Sequence, residues 1–136
     1  MYNLRESKGR VFMGSCPLVK KKILVIDDEE GFTEMVKEAL EQTGQYKVDI
    51  ENNAARVLDT VRKVQPDLIL LDVLLPYMDG PHIAELIRRD NSSGDIPIVY
   101  VSGLFDFVAE DEKPGLMLLS KPLQVKKLIR CVEKNI

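Results

Sequence analysis

Two kinds of apolar pattern alternate along the chain from residue 22 onward. Uninterrupted apolar runs stand at residues 23–26 (ILVI), 68–71 (LILL), 96–101 (IPIVYV) and 116–119 (LMLL). A run without polar alternation fits a strand covered on both faces, as in a parallel sheet. Residues 46–51 (YKVDIE) alternate instead, which predicts a strand nearer a sheet edge. Between these runs, apolar residues recur at helical spacing. Phe32, Met35, Val36, Ala39 and Leu40 form one face, closed by Gly44. Ala54, Val57, Leu58, Val61 and Val64 form the next, entered through Asn52 and Asn53 and broken at Pro66. Ile83, Ala84, Leu86 and Ile87 follow a first-turn Pro81, and Val125, Leu128, Ile129 and Val132 make the last face. This alternation predicts an α/β fold, a doubly wound parallel sheet with helices on both faces, because right-handed crossovers wrap each helix over its strands.

Composition adds limits to that picture. At 136 residues, 45% hydrophobic and 30% charged, the chain suits one domain with a real core. Residues 1–19 carry Gly9, Gly14 and Pro17 and no sustained pattern, so they read as a tail, either a vector-derived leader or a stretch before a second start at Met13; residues 20–136 form the domain. A net charge of -3 gives no electrostatic footprint for nucleic acid, so direct DNA binding is not expected. Lys20, Lys21 and Lys22 read as a solvated strand edge. Cys16 and Cys131 lack metal-type spacing and suit inert thiols in a reducing compartment. The apolar runs are far shorter than a membrane span and no leader pattern opens the chain, so a cytoplasmic protein without membrane contact is expected. His82, alone in a helix's first turn, receives no role.

Chemistry concentrates where the apolar runs end. Within QPDLILLDVLLPYMDG (residues 65–80), Asp72 is set at the end of a buried run, where a charged group emerges with least desolvation. Asp27 and Asp28 follow the first run, with Glu29 and Glu30 behind them. Helix-start chemistry accounts for one or two of these acids. It leaves unexplained two consecutive aspartates at a buried strand's exit, where they repel each other and Asp72; a bound cation would resolve the conflict. Ser102 ends the fourth strand and Lys121 the last. Carboxyl ends of parallel strands converge in one crevice, where open α/β sheets bind ligands.

The ILVIDDEE, LILLDVLLPYMDG, VSG and SKP stretches resemble the receiver domain of two-component response regulators, over roughly residues 22–136. The resemblance implies a flavodoxin-like five-stranded sheet of order 2-1-3-4-5. It further implies that Asp72 is the phosphoacceptor, that Asp28 with Asp27 forms an acidic Mg²⁺ pocket, that Ser102 is a hydroxyl switch residue and that Lys121 contacts the phosphoryl group. The backbone carbonyl of Leu74, two positions beyond the acceptor, would also ligate the metal, and the Lys121–Pro122 bond would be cis. The implied partners are a histidine kinase or histidine phosphotransfer protein and a downstream protein or output domain outside this chain. The residue types suit the chemistry in their own right: a carboxylate attacks phosphorus, and Mg²⁺ and Lys121 counter the pooled negative charge.

Departures from the resemblance shape three further expectations. Leu74 and Leu104, two positions beyond Asp72 and Ser102, cannot orient a hydrolytic water, which predicts slow autodephosphorylation. Between Ser102 and Lys121, GLFDFVAEDEKPG includes Pro114 and Gly115, so the expected fourth helix is short, irregular or absent. Leu118 stands where relatives place a switching aromatic, and Phe105 and Phe107 read as packing residues before they read as substitutes for it, so the switch is expected in the ordering or displacement of residues 103–115. A dehalogenase-type phosphatase would carry a second aspartate two residues after the first, where Asp27 is followed by Glu29. A flavin-type cofactor carrier would place a phosphate-cradling loop where DDEE stands. The remaining alternative is a receiver-fold interaction module that works without phosphorylation.

Overall fold

The computed structural model of the chain describes residues 19–75, 78–102 and 118–136. Strands β1 (Lys21–Ile26), β2 (Tyr46–Glu51), β3 (Leu68–Asp72), β4 (Ile98–Ser102) and β5 (Leu118–Ser120) form one sheet. Every neighbouring pair is parallel, in the order β2-β1-β3-β4-β5. Helices α1 (Glu30–Glu41), α2 (Val57–Val64), α3 (Gly80–Arg89) and α4 (Val125–Asn135) connect or follow them. The expected five-stranded doubly wound fold is therefore present. The expected irregular fourth helix falls on residues 103–117, and the tail on residues 1–18; both lie outside the described residues.

Two-sided burial is visible residue by residue. Ile23, Val25, Leu68, Leu70, Val99 and Val101 face one way, against Val36 and Leu40 of α1 and Leu128 and Val132 of α4. Their alternates Leu24, Ile26, Ile69, Leu71 and Ile98 face the other way, against Val57 and Val61 of α2 and Ile83 and Ile87 of α3. A strand projects successive side chains to opposite faces, so only an unbroken apolar run fills both layers. Each fully buried Leu or Ile contributes about 1.5–3 kcal/mol relative to exposure.

Element ends differ from the pattern where backbone pairing decides. β1 begins at Lys21 rather than Ile23, because Lys21 and Lys22 still pair with Tyr46 and Lys47. β4 begins at Ile98; Pro97 has no N–H to give a ladder, although its carbonyl accepts from the Ile69 amide at 3.0 Å. Asn53 does cap the second helical segment, its side chain accepting from the Ala55 amide, but the first turn, Ala54–Arg56, is 3-10. Met35, placed on the apolar face of α1 by its spacing, lies at the rim and is 37% exposed. Gly44 takes the left-handed conformation (φ +79°) that ends the α1 connection.

The edge strand β2 is guarded by side chains of α1. The Val48 amide donates to Glu41 Oε2 at 3.0 Å, and Lys37 Nζ donates to the Val48 carbonyl at 2.9 Å. These contacts occupy the N–H and C=O of Val48, two of the backbone groups that an edge would otherwise offer to another strand. The Val48 hydrogen bond, outweighing partial burial and joined by Lys37, holds the Glu41 carboxyl below its usual range. Burial pushes the Cys131 thiol up from its usual value; Cys16 lies outside the described residues.

A second polar clamp joins α2 to the end of α3. Arg62 donates from Nε (3.0 Å) and Nη2 (2.8 Å) to Asp90 Oδ1, while Ser92 and Ser93 hydroxyls donate to Oδ2 at 2.8 Å. Led by the Arg62 hydrogen bond, these donors hold Asp90 at about 2, below the ordinary 3.8. A carboxylate depressed on folding contributes fully above its unfolded value and loses that contribution as pH falls through its folded one. The urea midpoint of the native chain should therefore exceed that of Asp90→Asn at neutral pH, and the gap should close as pH falls from 3.8 to about 2. A gap independent of pH would show that the clamp acts through packing alone.

Candidate functional site

The strand registers bring the polar exits together. Ile26 pairs with Leu71, Asp72 with Val101, and Ser102 with Ser120. Asp27, Asp72, Ser102 and Lys121 consequently stand at the same end of the sheet, as the apolar runs predict. Ligand oxygens of Asp27, Asp28 and Asp72 all lie within 4.8 Å of one another. Asp27 and Asp72 are buried, at 1% and 7% exposure, and Asp28 is exposed; Ser102 is buried at the end of β4.

Lys121 closes this group. Its Nζ donates to Asp27 Oδ2 at 2.7 Å and lies 3.8 Å from Asp72 Oδ1 and 4.0 Å from Glu29 Oε1. Its backbone amide donates to the Ser102 carbonyl at 2.7 Å, which ties its stem to β4, and the Lys121–Pro122 bond is cis. Burial alone would lower the Lys121 ammonium; the Asp27 hydrogen bond and the charges of Asp27, Asp72 and Glu29 outweigh it and raise the group above its usual value. The repulsion among the acids is thus partly relieved by the protein's own cation.

Several supports of this geometry were not evident from pattern. Asp27 Oδ1 accepts from the Glu29 amide at 2.9 Å, so one acid does serve the entry to α1. Asn52 Nδ2 donates to the Asp27 carbonyl at 2.7 Å and to Thr33 Oγ1 at 3.1 Å, and Thr33 is fully buried. The available signal for Asn52 was its place directly after β2, the same strand-exit position that marks the other polar residues. His82 is exposed in the first turn of α3.

The loop after Asp72 folds back on itself. Leu74–Leu75 pairs antiparallel with Met78–Asp79, with Leu74 opposite Asp79, and Gly80 donates its amide to the Val73 carbonyl at 2.8 Å. A Cβ on Gly80 would stand 2.5 Å from the Asp72 carbonyl oxygen and 2.8 Å from Val73 Cα. Glycine at this point is a steric requirement of the Asp72 backbone, in addition to its turn chemistry.

The three carboxylates form a clustered, oxygen-only donor set, the chemistry that a hard divalent cation such as Mg²⁺ takes. The family model described as response regulator receiver domain matches residues 23–133. The chain belongs to the response regulator receiver domain family. It is 34% identical over 120 residues to the DNA-binding dual master transcriptional regulator RpaA of Synechocystis, covering 82% of this chain and 47% of that protein. It is 29% identical over 118 residues to sporulation initiation phosphotransferase F of Bacillus subtilis, covering 86% of this chain and 94% of that protein. The structure of the chemotaxis protein CheY4 of Vibrio cholerae superposes with a TM-score of 0.75 at 21% identity, covering 87% of this chain and all of that one, which shows the shared fold. The receiver domain spans about half the length of RpaA, so the DNA-binding named for that regulator belongs to that protein.

As a receiver domain, the chain is a phosphoacceptor signalling module of two-component systems. Gly80→Ala should push the Asp72–Val73 backbone out of register with β4, at an expected cost of about 1–3 kcal/mol in a urea titration. Native-like stability in that variant would show that the loop relaxes freely.

Proposed function

We propose that Asp72 accepts a phosphoryl group from the phosphohistidine of a histidine kinase or histidine phosphotransfer protein. The observation that carries this reading is the convergence of Asp27, Asp28 and Asp72 within 4.8 Å, with the Lys121 ammonium beside them. An Asp72 oxygen forms a bond to phosphorus as the phosphorus–nitrogen bond breaks, and the electron pair leaves on the imidazole nitrogen. Mg²⁺, held by Asp27, Asp28, Asp72 and the Leu74 carbonyl, would supply Lewis-acid charge to the transferring oxygens. Lys121 turns its ammonium from Asp27 toward the phosphoryl oxygens, and the Ser102 hydroxyl donates to them once they arrive. Water attack on phosphorus later restores the Asp72 carboxylate and releases inorganic phosphate. We place the exchange in the cytoplasm; among the described residues no helix is long and apolar enough to cross a membrane. The signal passes to a downstream protein or to an output domain outside this chain, through residues 103–115.

Acetyl phosphate with Mg²⁺ tests the assignment. The native chain should take label, Asp72→Asn should take none, and Asp28→Asn should need much more Mg²⁺ to label. Mg²⁺-dependent label on Asp72→Asn would reject Asp72 as acceptor. No label on the native chain would leave the interaction module that acts without phosphorylation.

The lifetime of the phosphorylated form is a separate expectation. Leu74 and Leu104 offer the hydrolytic water no hydrogen bond, so decay should be slow and should quicken in Leu74→Asn or Leu104→Glu. Equal decay in all three proteins would remove the leucines from the account.

A further inference from the structure

Lys121 has a neighbour that is not a carboxylate. Its Nζ lies 4.3 Å from the centroid of the Phe32 ring, within the range where an aromatic face attracts an ammonium. Phe32 is the third residue of α1, half-buried and packed against the core layer shared with α4. Its place is fixed at the backbone, where its amide donates to the Glu29 carbonyl at 3.1 Å. The ring is thus carried on the first turn of the helix that follows the two acids and packs against the core.

Among the described residues, the charged neighbours of the ammonium are Asp27 at 2.7 Å, Asp72 at 3.8 Å and Glu29 at 4.0 Å. Asp27 and Asp72 are also two of the three carboxylates that form the cation pocket. A divalent cation on those oxygens competes with the ammonium for them and repels it. The Phe32 face attracts the ammonium through its quadrupole and offers no ligand to a metal, so the two cations do not compete for it. We infer that Phe32 is a positioning residue: it keeps Lys121 seated at the site when the hydrogen bond to Asp27 is given up, so that the ammonium is in reach of incoming phosphoryl oxygens. An aliphatic residue of similar bulk would fill the core gap and leave the ammonium without this seat. The inference rests on the phosphoacceptor reading for its consequence, but not for the contact.

The test separates the two. In metal-free protein, ring current from Phe32 should shift the ε-methylene protons of Lys121 upfield in ¹³C-resolved NMR, assigned by their loss in Lys121→Arg. Phe32→Leu should abolish that shift and Phe32→Tyr should keep it. With acetyl phosphate and Mg²⁺, labelling of Phe32→Leu should be about two- to fivefold slower, with Phe32→Tyr restored to the native rate. An unshifted Lys121 in the native protein overturns the contact. A lost shift with a native labelling rate in Phe32→Leu overturns the positioning role. Failure of the native chain to label overturns the phosphoacceptor reading and with it this role, while the NMR comparison still decides the contact.

Discussion

The ion pair between Lys121 and Asp27 is the interaction on which the arrangement of the site depends. Asp27 is 1% exposed, and an unpaired charge so deeply placed would cost several kcal/mol. Its partner comes from the far side of the sheet: β1 and β5 are separated by β3 and β4, yet the two charged groups meet at 2.7 Å. That contact is met only if the registers of β3 and β4 bring their exits to the same level. It also keeps Asp72 close, because the same ammonium lies 3.8 Å from Asp72. The pair is worth little as net stability, since desolvation offsets much of its attraction, but Asp27 without Lys121 would be a buried charge with no cation beside it. Its consequence is therefore geometric: three acids are kept together that would otherwise spread apart.

Much of this was readable from residues, and for a definite reason. Runs such as ILVI and LILL have no polar position to present to water, so they admit only a strand covered twice, and the residue that ends each run falls at the sheet's end. Asp27, Asp72, Ser102 and Lys121 were found in this way. The supports of Asp27 were harder to see. Asn52 reaches across 25 positions and Lys121 across 94, and neither contact leaves a periodic trace in the chain. Phe32 was readable only as a core residue, because its spacing places it on the apolar face of α1 and says nothing of which side chain meets the face of its ring. The guarding of Val48 by Lys37 and Glu41 was hidden similarly: at the level of pattern these are an ordinary i, i+4 pair on a helix. Boundaries shifted where backbone pairing outlasted the apolar run, as at Lys21, or stopped short of it, as at Pro97.

The two core layers place the site between unlike surroundings. α1 and α4 cover one face, and α2 and α3 the other. Asp27 is anchored to the first layer through the α1 entry and Thr33, whereas Asp72 is anchored to the second through the loop that ends at Gly80 and begins α3. Interiors packed at crystal-like density transmit small displacements without absorbing them. Asp72 therefore has its backbone support on the α3 side of the sheet, at the close contact with Gly80. Asp27 has its supports at the entry to α1 and at Lys121, beyond β5.

A comparison with the other clamp explains why the site uses lysine. Arg62 holds Asp90 with two N–H groups at the end of α3, at the opposite end of the sheet from the acids. A planar guanidinium with fixed donor directions suits a contact that is formed once and kept, and there it joins α2 to α3. Lys121 has a rotatable ammonium with three equivalent donors on a flexible stem. It meets Asp27 at hydrogen-bond distance while Asp72 and Glu29 stand within 4.0 Å, so its donors reach a new acceptor after a small rotation. A guanidinium in the same place would need its whole plane reoriented to leave one carboxylate for another group. The contact between α2 and the end of α3 thus rests on the cation with fixed donor directions, and the cluster of acids on the one with rotatable donors.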